Sequence, residues 1–440
     1  MARRVVATAL ALVAALVAAS CSHGGGDRGA VTPTTVVRRS TPATSTTVVH
    51  PRGGSVRVAV RGDADPGAPT SAGAAVRSLV LPQLFVAAPD GTWTPSLVEP
   101  GSDRTAPGDR SATFRLRAGA TWSDGTALVA ADLARTADHR FVASVDGSAD
   151  GRRVTVRFTQ PMPNWRRLWS GVDSVAAPRP GVWGGPFVVA SRTPGLETVL
   201  GRNDRWWGAP APWLDEVRLV TVADETTARL LLARGEVDVV APLAATNRTP
   251  QFRAMPGVRV EVGPVAPVGA GGWWFGLLVN TKRLDGGERR GLVGSFAAAR
   301  FRDVLLRDEA VAPDGLPSLA GGDAGAIKGH DVTLTGTVED PMTALVERSL
   351  QKRARAAGGT VELRNAEADR VDRWVASGDY DAALTWVYGD AATATTGDVV
   401  PVALWRPVPV VAWRDGAVDG VRASAYGLSA AWNAWEWFRG

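Results

Sequence analysis

The chain has 440 residues, of which 45% are hydrophobic and 21% charged, a composition that is typical of globular proteins and excludes fibrous and wholly disordered classes. At roughly 150 residues per domain, this length predicts about three folding units. The net charge of +5 is spread along the chain, which argues against a nucleic-acid groove. One cysteine cannot form an internal disulfide, and the four histidines are too scattered to indicate a metal site. No cofactor is expected.

The N-terminal segment predicts export. Two arginines, a continuous apolar stretch and a few small residues occupy positions 1–20, ahead of Cys21, which is the pattern of a signal peptide. The position of the cysteine resembles the lipobox of bacterial lipoproteins, in which the thiol is acylated, although Ala18 stands where that motif prefers Leu. An ordinary signal peptide followed by a buried or free Cys21 is the alternative.

A tether is expected after the signal. Residues 21–54 are rich in Gly, Ser, Thr and Pro and poor in large apolar side chains, so they cannot bury enough surface to fold. No later stretch is apolar over the roughly 18 residues that a membrane span requires. We therefore expect contact with a membrane only through an N-terminal lipid.

The first half of the body contains alternating strands. Residues 56–60 and 113–117 alternate apolar and polar side chains, as strands with one buried face do. An Asp-Gly turn signal follows the second of these, and a helix is predicted from about 130 to 139.

Further along, helices carry terminal signals. Asp224 can cap a helix that ends at Gly235, and residues 237–240 then form a short buried strand. Residues 332–386 alternate strand, helix, strand, helix and strand, and the first of these helices opens at Pro341. This order implies parallel pairing with right-handed crossovers.

Several sequence blocks follow one another in the order of a known family. The most specific block runs from Ala112 to Thr126 and contains a Phe-x-Leu-Arg strand, a Gly, and an aromatic-Ser-Asp-Gly-Thr turn. The others are Asp90-Gly91, Pro95-Ser96-Leu97, Gly185-Pro186-Phe187, Arg202 to Gly208, Leu214 to Val217, Gly235 to Asp238 and Asn280 to Arg283. Together they resemble the extracellular solute-binding proteins of family 5, the peptide and nickel type that feed ABC importers, over about 55–283 and less closely over 331–386.

The resemblance implies an α/β, two-lobed periplasmic-binding-protein-like (type II) fold with a hinge and a small β-rich subdomain in the first lobe. Lobe I is expected at 55–268, including a hairpin-rich subdomain at about 78–178. Lobe II is expected at 269–398, and 399–440 is expected to return to lobe I. The long helical section that follows the Trp386 strand in the family is absent, so we expect a trimmed lobe II.

Candidate ligand contacts are aromatic. An indole offers a large apolar area and one N–H donor, which suits a pocket that accepts ligands of varied sequence. The candidates near the expected crossovers or strand ends are Trp273, Trp274, Trp386 and Trp405, with Trp413 similarly placed. In peptide binders of the family, an Asp three residues after a strand Trp pairs with the ligand amino terminus. Here Asp390 stands four residues after Trp386. Each Trp is alternatively a core residue, and Asp390 alternatively a turn residue.

The resemblance implies a monomeric, lipid-anchored receptor at the outer face of the cell membrane, which delivers a small solute such as an oligopeptide to an ABC permease and ATPase and performs no chemistry. The alternative is a degenerate member of the same fold, a lipoprotein with a sensing or envelope role and no transport, motivated by the trimmed lobe. A secreted hydrolase is disfavoured because Gly-x-Ser-x-Gly and His-Glu-x-x-His motifs are missing.

Overall fold

The structure is a computed structural model, and it describes residues 50–68, 71–88, 92–170, 174–241, 249–265, 273–296, 306, 310–312, 322–338, 341–388, 398–424 and 431–439. These residues belong to one compact unit, His50–Gly440. The predicted signal peptide and most of the predicted tether, with Cys21, lie outside them. Within the described ranges, every helix is too short or too polar to cross a membrane.

The described elements alternate between strands and helices. The strands are β1 (Ser55–Arg61), β2 (Phe85–Ala87), β3 (Trp93–Pro95), β4 (Arg104–Thr105), β5 (Ser111–Arg115), β6 (Val142–Gly147), β7 (Arg153–Phe158), β8 (Phe187–Thr193), β9 (Glu197–Arg202), β10 (Glu216–Val222), β11 (Val239–Val240), β12 (Val258–Val262), β13 (Trp273–Asn280), β14 (Ala310–Val311), β15 (Asp331–Thr337), β16 (Thr360–Ala366), β17 (Ala382–Tyr388), β18 (Val399–Pro407) and β19 (Val410–Arg414). The helices are α1 (Ser71–Val80), α2 (Ala130–Arg135), α3 (Glu225–Arg234), α4 (Thr249–Arg253), α5 (Gly286–Gly294), α6 (Pro341–Ala356) and α7 (Ala368–Ser377).

The first sheet has seven strands in the order β12-β19-β11-β1-β10-β9-β8. Its centre is parallel, because β1 pairs with β10 and with β11 in the same direction. Val56 and Val58 are fully buried on one face of β1, which confirms the predicted alternation. The capping prediction for α3 is also confirmed, since Asp224 accepts a hydrogen bond from the Thr227 N–H at 2.7 Å and Gly235 has φ 73°.

The small β-rich subdomain lies between β1 and β8 in the chain. It contains a four-stranded antiparallel sheet, β4-β5-β7-β6, and the β2–β3 hairpin. Its core is built on Phe114, Trp122 and Trp165, each at most 1% exposed. The helix predicted over about 130–139 is shorter than expected and ends at Arg135.

The second sheet has six strands in the order β14-β18-β13-β17-β15-β16. β15 pairs in parallel with both β16 and β17, so the predicted parallel unit over 332–386 is confirmed. α6 begins at Pro341, and Gly358 beyond its end has φ 86°. The last turn of a helix commonly ends on such a left-handed glycine.

One assignment made from the sequence is wrong. Residues 399–407 were expected to return to the first lobe, but they form β18, which pairs with β13 and β14 in the second sheet. The chain rejoins the first sheet only at β19. A continuous apolar run identifies a buried strand without specifying its neighbours, which is why the sequence placed this strand in the wrong sheet.

Candidate functional site

Two chain crossings connect the sheets, and they leave the first sheet side by side. β12 ends at Val262 and β19 begins at Val410, and these two residues are register partners. The Gly263 N–H donates to the Pro409 carbonyl at 2.9 Å, which ties the crossings together. Two adjacent crossings can act as a hinge, because rotation about them requires backbone changes at only a few residues.

Aromatic side chains gather where the crossings reach the second sheet. Phe275, near the start of β13, is the register partner of both Trp386 in β17 and Trp405 in β18. The Phe275 ring stacks on Trp405 with centroids 4.8 Å apart and meets Trp386 edge-on at 5.1 Å. Trp405 is fully buried, whereas Trp386 keeps part of its surface exposed. Trp386 therefore offers contact area at this end of the sheet.

The other candidates do not join this cluster. Trp274 lies on the opposite face of β13, 1% exposed, and packs with Leu278 and Tyr380. Trp413 packs in the core of the first sheet. Only the backbone of Trp273 is described, at the first position of β13. Asp390 and Cys21 fall outside the described residues. The burial of Trp274 and Trp405 matches the core-residue alternative, and a ligand role for each candidate stays a prediction.

A pocket in the first lobe was not anticipated from the sequence. It has a volume of about 130 Å³ and is lined in part by Gln83, Arg117, Trp206, Trp435 and Glu436; we call it the amino-edge pocket. Nothing local signals that these side chains meet, because they come from distant segments. One requirement is local. A Cβ at position 208 would lie 2.3 Å from the Trp206 ring, so the ring can take its place in the pocket only because residue 208 is glycine.

Three potential metal ligands also approach one another, although histidine spacing predicted none. Donor atoms of Asp285, Glu288 and His330 lie within 4.8 Å of each other. The two carboxylates form a capping box at the start of α5: Asp285 accepts from the Gly287 and Glu288 N–H groups, and Glu288 accepts from the Asp285 N–H. The hydrogen bonds from the Glu288 and Gly287 backbone N–H groups hold the pKa of the Asp285 carboxyl below its ordinary value. Helix capping accounts for the two carboxylates, and His330 joins them through its Nδ1, which lies 3.3 Å from Glu288 Oε1.

Comparison with known proteins points to one family. Residues 92–312, half of the chain, match the bacterial extracellular solute-binding proteins, family 5 middle. The oligopeptide-binding protein OppA of Mycobacterium tuberculosis (strain ATCC 25618 / H37Rv) is 33% identical over 187 residues, a match that covers 34% of this chain and 31% of OppA. The chain thus matches less than a third of the length of this relative.

Solved structures share the architecture. AgaA from A. tumefaciens R10, determined in complex with agropinic acid, is 17% identical with a TM-score of 0.70, over 88% of this chain and 99% of AgaA. The oligopeptide-binding protein AppA from Bacillus subtilis, determined with a nonapeptide, is 13% identical with a TM-score of 0.68, over 89% of this chain and 100% of AppA. At such identities the likeness concerns the two-lobed fold and leaves the ligand of this chain open.

Proposed function

Because the chain belongs to family 5 of the bacterial extracellular solute-binding proteins, we propose that it is an extracytoplasmic receptor that closes its two lobes on a small solute and delivers the solute to an ABC importer. The observation that carries this proposal is the pair of adjacent crossings between the two sheets, joined where Val262 faces Val410. A hinge of this kind lets a binding protein remove its ligand from water on both sides. Binding of this type involves no chemical step.

A peptide-like solute is the class we favour. OppA and AppA, to which the chain is similar, are named as oligopeptide-binding proteins. The partly exposed Trp386 beside Phe275 would supply apolar contact area without demanding one particular side chain. Asp390 would pair with a cationic amine of the solute, an interaction that is stronger in a water-poor cleft than in bulk water.

We also propose that an acyl chain on Cys21 anchors the protein at the outer face of the membrane, where a permease and its ATPase would receive the solute from the monomer. The support is the signal-like pattern of residues 1–20 ahead of Cys21. Detergent phase partitioning tests the anchor: the native chain should enter the detergent phase and a Cys21→Ser variant should remain in the aqueous phase. Equal partitioning of the two would remove the anchor from the proposal.

Native mass spectrometry of the chain purified from its own cell envelope tests the receptor function. We expect one small molecule bound per chain, identified as a peptide or a similarly sized solute, and a rise in melting temperature when that compound is added back. A Trp386→Ala variant should carry less of it. A chain that is always recovered without a bound molecule, and whose melting temperature does not respond to oligopeptides, sugars or metal chelates, would contradict the function.

The second candidate is a lipoprotein with a sensing or envelope role that does not transport. The observation in its favour is the short connection between β17 and β18, residues 389–398, where the family resemblance leads us to expect a long helical section. A smaller second lobe would cover less of a solute. Deleting the gene separates the two functions, because only the receptor predicts reduced uptake of the solute found by mass spectrometry.

A further inference from the structure

The amino-edge pocket lies far from the hinge. The loop that carries Trp206 leads into Glu216, the first residue of β10, and the Arg439 Nε donates to the carbonyl of Ser55, the first residue of β1, at 3.0 Å. The pocket therefore sits at the amino ends of the parallel strands. Both crossings leave from the carboxyl ends, since Val240 of β11 pairs with Ala412 of the antiparallel β19. A ligand in this pocket would be separate from a solute held between the lobes.

Arg117 supplies a positive charge in the wall of this pocket. Its Nε donates to the Ser96 carbonyl at 2.5 Å. The two terminal nitrogens of the guanidinium are not used in that bond and can donate to a ligand. In the described part of the chain, no carboxylate lies within ion-pair distance of Arg117. Arg115 and Arg152 of the same subdomain differ, because both lie within 4 Å of the Glu99 carboxylate, at 3.7 and 3.6 Å.

The remaining lining combines four rings with polar side chains, among them Ser78, Gln83 and Thr94. Trp206, Trp435, Pro95 and Pro186 contribute rings to the lining. The volume of about 130 Å³ is close to that of a cavity of about 150 Å³ that accommodates benzene. The pocket therefore fits an apolar body about the size of one ring. Glu436 lies at the rim, where its side chain is exposed.

We propose that the amino-edge pocket binds a small carboxylate that carries a ring-sized apolar body. The terminal nitrogens of Arg117 would hold the carboxylate through charge-assisted hydrogen bonds, and the indoles of Trp206 and Trp435 would cover the ring. A simple aromatic acid and an aromatic α-amino acid both offer this chemistry. The Glu436 carboxylate distinguishes them, since it would pair with the ammonium group of the amino acid alone.

Isothermal titration of the full chain tests the proposal with three probes: phenylacetate, L-phenylalanine and the neutral phenylacetamide. We expect at least one of the acids to bind and the amide not to bind. Arg117→Gln should weaken binding about tenfold to a hundredfold, the value of hydrogen bonds to a charged group. Arg115→Gln, a matched loss of charge outside the pocket, should change it less than about twofold. Glu436→Gln should weaken phenylalanine binding only.

A second pair of variants keeps the test decisive if Arg117→Gln fails to fold. Thr94→Trp places a large ring at an exposed position of the pocket lining and should block both acids. Trp386→Ala, at the hinge end of the second sheet, should leave them unaffected. The proposal is overturned if neither acid binds at millimolar concentration, if Arg117→Gln folds and binds normally, or if Trp386→Ala abolishes binding while Thr94→Trp retains it.

Discussion

Among the charged residues of the first lobe, Asp238 is the one whose replacement should destabilise the fold most clearly. Its side chain is 1% exposed, and its carboxylate accepts from the Arg57 backbone N–H at 2.9 Å and from the Arg57 Nε at 3.3 Å. Arg414 and Arg439 place guanidinium nitrogens 3.8 and 3.6 Å away. One buried carboxylate thus links the amino end of β1, the end of β19 and the C-terminal segment.

Asp238→Asn keeps the size of the side chain and removes its charge. Removing one partner of a buried ion pair costs about 3–5 kcal/mol. The three arginine side chains remain 37–41% exposed and can be hydrated, so we expect the lower end, about 3 kcal/mol.

Urea unfolding at pH 7 measures this loss as a lower midpoint at an unchanged m value. The matched control is Asp215→Asn, whose carboxylate is 53% exposed and pairs with Arg202 at 2.9 Å. An exposed pair contributes at most about 1 kcal/mol. If Asp238→Asn unfolds within about 1 kcal/mol of the native chain, the carboxylate does not organise this edge of the sheet and the reasoning is refuted.

Three further changes have defined outcomes. Trp386→Ala should weaken binding of the solute recovered by mass spectrometry about tenfold, measured by calorimetry, because Trp is among the residues whose truncation at a binding surface costs most. Tyr380→Phe should raise the free energy of unfolding by about 1 kcal/mol, measured in urea, since the buried Tyr380 hydroxyl has no hydrogen-bond partner within the described ranges. Asp285→Asn should make the free energy of unfolding decrease less steeply as the pH is lowered into the acid range. The folded pKa of Asp285 is depressed, so its contribution is present above about pH 4, the unfolded value, and disappears as the pH falls through the folded pKa.

Each of these results has a control. Trp374→Ala, on α7 beside Arg364, should leave solute binding unchanged, and equal losses in the two Trp variants would indicate a general defect. A lower stability of Tyr380→Phe would mean that the hydroxyl has a partner. An acid unfolding curve that is the same for Asp285→Asn and the native chain would show that the capping box does not contribute.

Local signals in the sequence located the elements whose order and ends are encoded nearby. Asp224 and Gly235 marked the two ends of α3, and the alternation over 332–386 fixed a parallel unit, because caps and periodicity act over a few residues. The pairing of β18 was misassigned for the opposite reason. Its partners β13 and β14 lie far away in the chain, and the apolar run of β18 fits either sheet.

The candidate site was predictable only in part. Sequence pointed to Trp386 and Trp405 near strand ends, and both meet Phe275. It did not reveal that Trp274 lies on the opposite face, although the one-residue step from Phe275 implies this in a strand. The meeting of Arg117 with Trp206 depends on the tertiary packing of two separate blocks, and no pattern within either block encodes it.

Small-angle X-ray scattering of the full chain, with and without the solute identified by mass spectrometry, tests the hinged receptor most directly. The two adjacent crossings predict a smaller radius of gyration when the solute is bound, because the lobes close around it. A scattering curve that does not change, in a sample where mass spectrometry shows every chain occupied, would contradict closure of the lobes.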